Sequence, residues 1–344
     1  MFYMDKPIST SKASGSVILI VFLLLSAIFS SNIVRADSST AVSPSGTAQM
    51  RLVYLVSDLR IPFWDIMARG IKRKAVELGY SIDVISANNS ARDELAATAK
   101  ALRNKVDGII VSPTTSSACA TILKLANRAN IPVVISDIGT DAGNYVSYIS
   151  SNNRDGAYQI GKVLSAKLKS SGSSPGRVGI IAIPQKRLNG QARTAGFMQA
   201  MDEAGIRGAG LLQQVTFSDQ ETYELSRQLI KDNTDLAAIW LQGSNRYQAA
   251  LRAIKDSNKQ GEIALITFDA EPEFLQLIPQ GVLVGAAMQQ PFLMGEKAVI
   301  NIHRFLNAEP VEKNLQLPIL AISAKNIGKK LPTIKRNVLG LDLK

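Results

Sequence analysis

The sequence predicts an α/β fold of two doubly wound parallel-sheet lobes joined by a hinge. Three observations predict it. Short β-branched runs alternate with helical stretches of roughly 12–18 residues, the pattern of βαβ units and of a parallel sheet covered on both faces. Eight such runs suit either a closed eight-stranded barrel or two open sheets. One interruption favours two sheets. In "GNYVSYISSNNRDGAYQIG" an extra strand, 145–149, follows the fourth strand with no helix between them and then runs into a new helix. A chain leaving one lobe for another reads this way.

Residues 1–36 read as a secretory signal peptide. Lys6 and Lys12 precede the 13-residue apolar run "VILIVFLLLSAIF" (17–29), and Val34-Arg35-Ala36 offers a small-residue cleavage site. The run is short of the roughly 20 residues that a bilayer span needs, and an uncleaved anchor is the other reading. No cysteine lies near the cleavage site to support a lipoprotein anchor. Residues 37–49 are rich in Ser, Thr, Ala and Pro and read as a disordered lead-in. Strands are then expected at 51–57, 81–86, 107–112 and 131–136, and later at 177–183, 237–242, 263–268 and 283–288. Met67, Ile71, Ala75 and Leu78 mark the inner stripe of the first helix. The expected organisation is lobe 1 over 50–151 plus 290–315, lobe 2 over 152–289 plus 316–330, and a basic C-terminal tail over 331–344. Crossovers are expected near 151, 290 and 316.

Composition removes several function classes. One cysteine, Cys119, excludes an internal disulfide, and one histidine, His303, on an amphipathic helix leaves no zinc or copper set of the usual ligands. No G-x-S-x-G elbow supports a serine triad. "GAYQIGKV" (156–163) nearly matches a phosphate-binding loop, but Val163 stands where the Mg²⁺-binding hydroxyl belongs and the stretch reads as continuous helix. No cofactor is expected. Removal of Lys6, Lys12, Arg35 and Asp5 with the leader takes the formal net charge from +11 to +9. Many of the remaining lysines crowd the C-terminus, as a solvated end or a contact for an acidic partner or membrane surface. Export argues against nucleic acid as a partner. A cysteine-poor exported chain with a large core suits the bacterial periplasm.

In open parallel sheets, ligands bind outside the carboxyl ends of the strands. The first strand delivers Asp58, Arg60, Phe63 and Trp64 there, and the fourth delivers Ser136 and Asp137. The loop after "RVGIIAI" delivers Gln185, Lys186, Arg187, Asn189, Gln191 and Arg193. Phe217, Asp219, Gln242, Ser244, Asn245, Asp269, Gln289 and Gln290 follow at later strand ends. Among them no base stands poised beside a nucleophile. Amides, carboxylates and guanidinium groups flanked by aromatic faces suit a small polyhydroxylated or polar ligand.

From about residue 50 to 328 the chain resembles the ribose/galactose-type periplasmic substrate-binding proteins of the type I fold, a family with sensory relatives that feed histidine kinases. The resemblance rests on "SDLRIPFWDIMARGIKRKAVELGY", "VDGIIVSPTTSSA", "ANIPVVISD", "SSNN", "ARTAGFMQAM", "ITFDA" and "MQQPFLMGEKAV", in this order. It implies that Phe63 and Trp64 stack on one face of the ligand and that Phe217 closes the other. It implies that Asp137, Arg193, Asp269 and Gln289 hydrogen-bond its hydroxyls. The chain departs from ribose binders at Ile61, at Ile138 and at Gly243, where Asn245 stands two residues on. These departures imply a first-lobe wall less polar than a pentose site, and with the aromatic faces and the carboxylates of Asp137 and Asp269 they point to a neutral or weakly cationic ligand, a deoxy or methyl-bearing sugar ahead of an amine.

Three function classes follow. The first is a receptor that presents a sugar-like ligand to an inner-membrane ABC permease, or reports it to the periplasmic domain of a sensor kinase. The second is a repressor core, which would carry a helix-turn-helix where this chain has a leader. The third is a glycosidase, for which Asp137 and Asp269 form the only obvious carboxylate pair. The receptor, not an enzyme, is the expectation.

Overall fold

The computed structural model describes residues 49–170 and 176–341. The expected signal peptide, residues 37–48 of the expected lead-in and residues 342–344 lie outside them.

The chain begins with β1 (Arg51–Val56), α1 (Pro62–Glu77), β2 (Ser81–Ser86), α2 (Ala91–Arg103), β3 (Gly108–Ser112), α3 (Ser116–Arg128), β4 (Val133–Ser136) and β5 (Ser147–Ser151). It continues through α4 (Asn153–Ser170), β6 (Arg177–Ala182), α5 (Leu188–Ala204), β7 (Gly208–Gln213), α6 (Asp219–Asp232), β8 (Leu236–Leu241), α7 (Tyr247–Asp256), β9 (Ala264–Phe268), α8 (Phe274–Leu277) and β10 (Gly285–Met288). Last come α9 (Pro291–Leu306), β11 (Asn314–Leu317), β12 (Leu320–Ser323), α10 (Ile327–Thr333) and a π-helical turn, Ile334–Val338.

Two six-stranded sheets result, ordered β11-β5-β4-β3-β1-β2 and β12-β10-β9-β8-β6-β7. The first is parallel throughout. In the second, β12 runs antiparallel to β10, so that sheet is mixed at one edge. The chain passes between the sheets after β5, after β10 and between β11 and β12.

Each central strand is buried on both faces, which is why it reads as an unbroken apolar run. On one face of the first sheet Tyr54, Ile110 and Val134 meet Met67 and Ile71 of α1 and Met294 of α9. On the other, Leu55, Ile109 and Ile135 meet Ile122 and Leu123 of α3. In each lobe one helix pair packs backbone to backbone. A Cβ on Gly295 of α9 would stand 2.3 Å from the Met67 carbonyl oxygen of α1. A Cβ on Gly196 of α5 would stand 2.0 Å from the Arg154 carbonyl oxygen of α4. The glycines of "GAYQIGKV" have a packing role too: Gly161 faces Ala200 of α5 within continuous helix. These contacts fix α1 and α5, whose N-termini carry much of the site.

Three strands, β7, β11 and β12, lie outside the expected set. The C-terminal tail needs a larger correction. Ile334, Val338 and Leu339 are buried in the core of the second lobe. From the same segment Arg336 pairs with Glu296 of α9 at 2.7 Å, and Arg69 of α1 donates to the Leu339 carbonyl. Residues 334–340 are therefore a packed strap touching both lobes, because Ile334 and Val338, four residues apart, share one face on either side of Lys335 and Arg336. His303 lies at the core edge, with Nδ1 2.8 Å from the Tyr80 hydroxyl. Among the described residues no helix is long and apolar enough to cross a membrane.

Candidate functional site

The strand order places β1 and β3 side by side in one sheet, and β6 and β8 in the other, as the topological switch points where open α/β sheets form a crevice. One cleft lies there, walled by both lobes. All eight candidate residues border it: Phe63, Trp64, Asp137, Arg193, Phe217, Asn245, Asp269 and Gln289.

The first-lobe wall is largely apolar. Pro62 opens α1 with a backbone preset for the first helical turn, and so projects Ile61, Phe63 and Trp64 from the end of the β1 loop. Trp64 is only 4 % exposed, so it is lobe core as well as cleft wall. Phe63 is half-buried and meets it edge to face, with centroids 6.3 Å apart. The Trp64 indole N–H donates to Asp137 Oδ2 at 3.1 Å. Asp137 Oδ1 is buried and has no partner among the described residues. Burial drives the Asp137 pKa up to about 6, with Arg193 opposing the rise and Asp269 adding to it.

The second-lobe wall is a polar network. Arg193, 3 % exposed, donates through Nε to Asn153 Oδ1 and through Nη1 to the Gln242 carbonyl, both at 2.8 Å. Its Nη1 lies 3.7 Å from Asp269 Oδ2, and its guanidinium rests 3.8 Å from the Phe268 ring centroid. Gln289 Nε2 donates to Asp269 Oδ1 at 2.7 Å. Burial pushes the Asp269 pKa up, against the pull of Arg193 and Gln289. Phe217 projects from a loop held by Glu221, whose carboxylate accepts from the backbone N–H groups of Val215, Thr216 and Phe217. Arg246 Nε donates to the Phe217 carbonyl.

Two features mark this cleft as built for a ligand. Asp137, Phe217 and Asp269 all have left-handed backbone, with φ of 73°, 56° and 66°. Strain of that kind costs on the order of 1–3 kcal/mol per residue and clusters at functional sites. Secondly, four buried polar atoms on the walls have no partner among the described residues: Asp137 Oδ1, Gln242 Oε1, Gln289 Oε1 and Asn245 Nδ2. Buried polar atoms are ordinarily bonded, and leaving one bare costs about 1–3 kcal/mol.

Other residues delivered by strand ends do not reach the cleft. Asp58 and Arg60 pair with each other at 2.6 Å, and Ser244 donates to Glu271. Gln290 donates to the Pro318 carbonyl at the crossover into β12. Conversely, Arg187, Asn189 and Gln242 border the cleft although the candidate set omits them. All three sit on the strand-end loops that supplied it, which was the available signal. Asn153 bonds Arg193 from the first turn of α4; it ends the motif "SSNN", for which the sequence implied no site role.

Comparison with known proteins agrees with this architecture. The family model for a periplasmic binding protein domain matches residues 52–310. The ribose import binding protein RbsB of Haemophilus influenzae is 30 % identical over 283 residues, covering 82 % of this chain and 94 % of that one. Its Escherichia coli counterpart is 27 % identical over 274 residues, covering 80 % and 90 %. A carbohydrate transporter solute-binding protein from Agrobacterium radiobacter, solved with D-arabinose, superposes with a TM-score of 0.78 at 20 % identity, covering 85 % of this chain and 99 % of that one. A solute-binding protein from Actinobacillus succinogenes with bound D-allose gives 0.76 at 19 %, covering 82 % and 100 %.

Proposed function

The chain belongs to the periplasmic binding protein family, and on that footing we propose that it is a receptor for a small polyhydroxylated ligand, captured between the lobes by hinge closure. Receptors of this kind are exported, so residues 1–36 act as the leader, and the closed form presents the ligand to an inner-membrane ABC permease. The relatives named for ribose import support a sugar-like ligand.

The observation that carries this reading is the set of four bare polar atoms on one cleft. Three are acceptors and one is a donor. A hydroxyl both donates and accepts, so a ring bearing several hydroxyls satisfies such a mixed set where an apolar ligand or a simple cation does not. The half-buried Phe63 and the Phe217 ring offer apolar faces to the C–H faces of the same ring. Among the described residues the wall carries no nucleophile with a general base beside it, which favours a binding role.

Thermal-shift and calorimetric titration of a panel of pentoses, hexoses, deoxy sugars and sugar acids tests the proposal. At least one member is expected to bind with a 1:1 stoichiometry and to raise the melting temperature. Binding by none of them overturns it.

A further inference from the structure

Arg187 borders the cleft but takes no part in its networks. It immediately precedes α5, is 7 % exposed, and lies with its guanidinium carbon 5.8 Å from the Trp64 ring centroid and 5.7 Å from that of Phe217. One ring comes from each lobe. Among the described residues the only hydrogen bonds of its side chain are long, from Nη2 to Asn89 Oδ1 at 3.4 Å and to the Thr114 carbonyl at 3.5 Å. It has no ion pair among the described residues. The nearby Glu94 carboxylate is occupied by Thr114 N and Oγ1, both at 2.9 Å. Arg193, by contrast, has Asp269 and two short hydrogen bonds. The α5 N-terminus at the same place has no bond from its N-cap side chain, and although Asn189 Oδ1 takes the Gly190 N–H, the helix dipole adds positive potential.

A buried guanidinium without a counter-charge is costly, and the cost falls when a ligand brings the missing charge. Burial pulls the Arg187 pKa down, with Asp137 and Glu94 opposing the fall and Arg193 adding to it. A guanidinium fork flanked by two rings matches a planar carboxylate, which it binds in two parallel hydrogen bonds. Asp137 Oδ1 and the bare amides meanwhile call for hydroxyls.

We infer that the cleft selects a hydroxylated monocarboxylate, a sugar acid whose carboxylate pairs with Arg187 and whose hydroxyls meet Asp137, Gln242 and Gln289. This rests on the receptor reading above and names its ligand class. It reverses the neutral or cationic charge expected from the sequence, where Arg187 was one of several loop cations. A phosphate ester is disfavoured: it brings two charges to one unpaired arginine, in a cleft that already holds Asp137 and Asp269.

Matched pairs test it by calorimetry at pH 7: D-ribose against D-ribonate, D-galactose against D-galacturonate, D-glucose against D-glucuronate, with D-ribose 5-phosphate beside them. In at least one pair the acid is expected to bind about tenfold or more tightly than its neutral partner. Arg187→Gln should bring that pair to within about threefold, and Arg187→Lys, which keeps the charge but loses the fork, should fall between. Neutral sugars binding as well as or better than their acids overturn the inference and leave the sugar receptor standing. So does an acid preference that survives Arg187→Gln, or ribose 5-phosphate binding as tightly as the best acid. Binding by no member overturns the inference and the receptor reading together.

Discussion

The two walls of the cleft are made in opposite ways. The first lobe offers Ile61, Phe63 and Trp64, an apolar face broken only by Asp137, while the second offers Arg187, Arg193, Gln242, Asn245 and Asp269. In the second lobe Arg193, Asp269 and the Gln242 carbonyl are held by one another and by Asn153 and Gln289, while Arg187 stands outside that network. In the first, Asp137 is held by a single indole N–H at its carboxylate. The difference assigns separate tasks. On the proposed function, the preorganised polar wall would recognise the ligand, and the apolar wall would fold over it and exclude water, which strengthens every polar contact inside.

The largest effect is expected where the polar wall is most connected. Arg193→Ala bares Asp269 and Asn153 at once, so it should cost about 3–5 kcal/mol in apo stability as well as most of the binding. Denaturant unfolding and calorimetry on the same variant check both. A variant that loses affinity alone would mean the wall is not the interlocked unit described. Asp269→Asn keeps the shape and the Gln289 contact but removes the charge that faces Arg193. It should weaken binding by about 2–3 kcal/mol, roughly 30- to 200-fold, read by calorimetry. On the opposite wall Phe63→Ala removes a half-buried ring from the cleft surface. About 1 kcal/mol of affinity should go, with the apo melting temperature nearly unchanged. If Phe63→Ala cost more than Asp269→Asn, the division of tasks would be reversed.

The smallest effect is in pH. Burial pushes Glu94 and Glu271 up to about 7 and Asp137 up to about 6, from ordinary values of 4.5, 4.5 and 3.8. A carboxyl whose pKa is higher folded than unfolded takes up a proton on folding between the two values, so stability rises as pH falls through that window. Asp58 and Glu221 are shifted the other way and act only below their ordinary values of 3.8 and 4.5. The apo melting temperature should therefore be a few degrees higher at pH 5.5 than at pH 7.5. Glu94→Gln should flatten that slope, and scanning calorimetry reads both. A protein more stable at pH 7.5 would contradict the burial of these groups.

What the sequence made legible was decided by periodicity. The buried parallel strands and the break at 145–149 stand out because their apolar runs have only one reading. β7 escaped because it is an exposed edge strand containing Gly208 and Gly210. β11 and β12 are four residues each, separated by Pro318 and Ile319. The C-terminal strap escaped because Lys335 and Arg336 interrupt the short apolar set Ile334, Val338 and Leu339, and charge masked the stripe. Strand ends supplied a wider set, since topology brings carboxyl ends together, and the family resemblance narrowed it to the eight residues on the cleft. Which of the loop cations lacked a partner was not legible, because pairing depends on distances. Arg193 and Arg187 look alike as letters and differ only in what stands within 4 Å of each.

The two walls are expected to come together on a bound ligand. Small-angle X-ray scattering of the purified protein, with and without a saturating concentration of the best binder from the sugar and sugar-acid panel, measures this. The radius of gyration should be smaller with ligand, as the apolar wall closes on the polar one. An unchanged radius at proven saturation would contradict hinge closure.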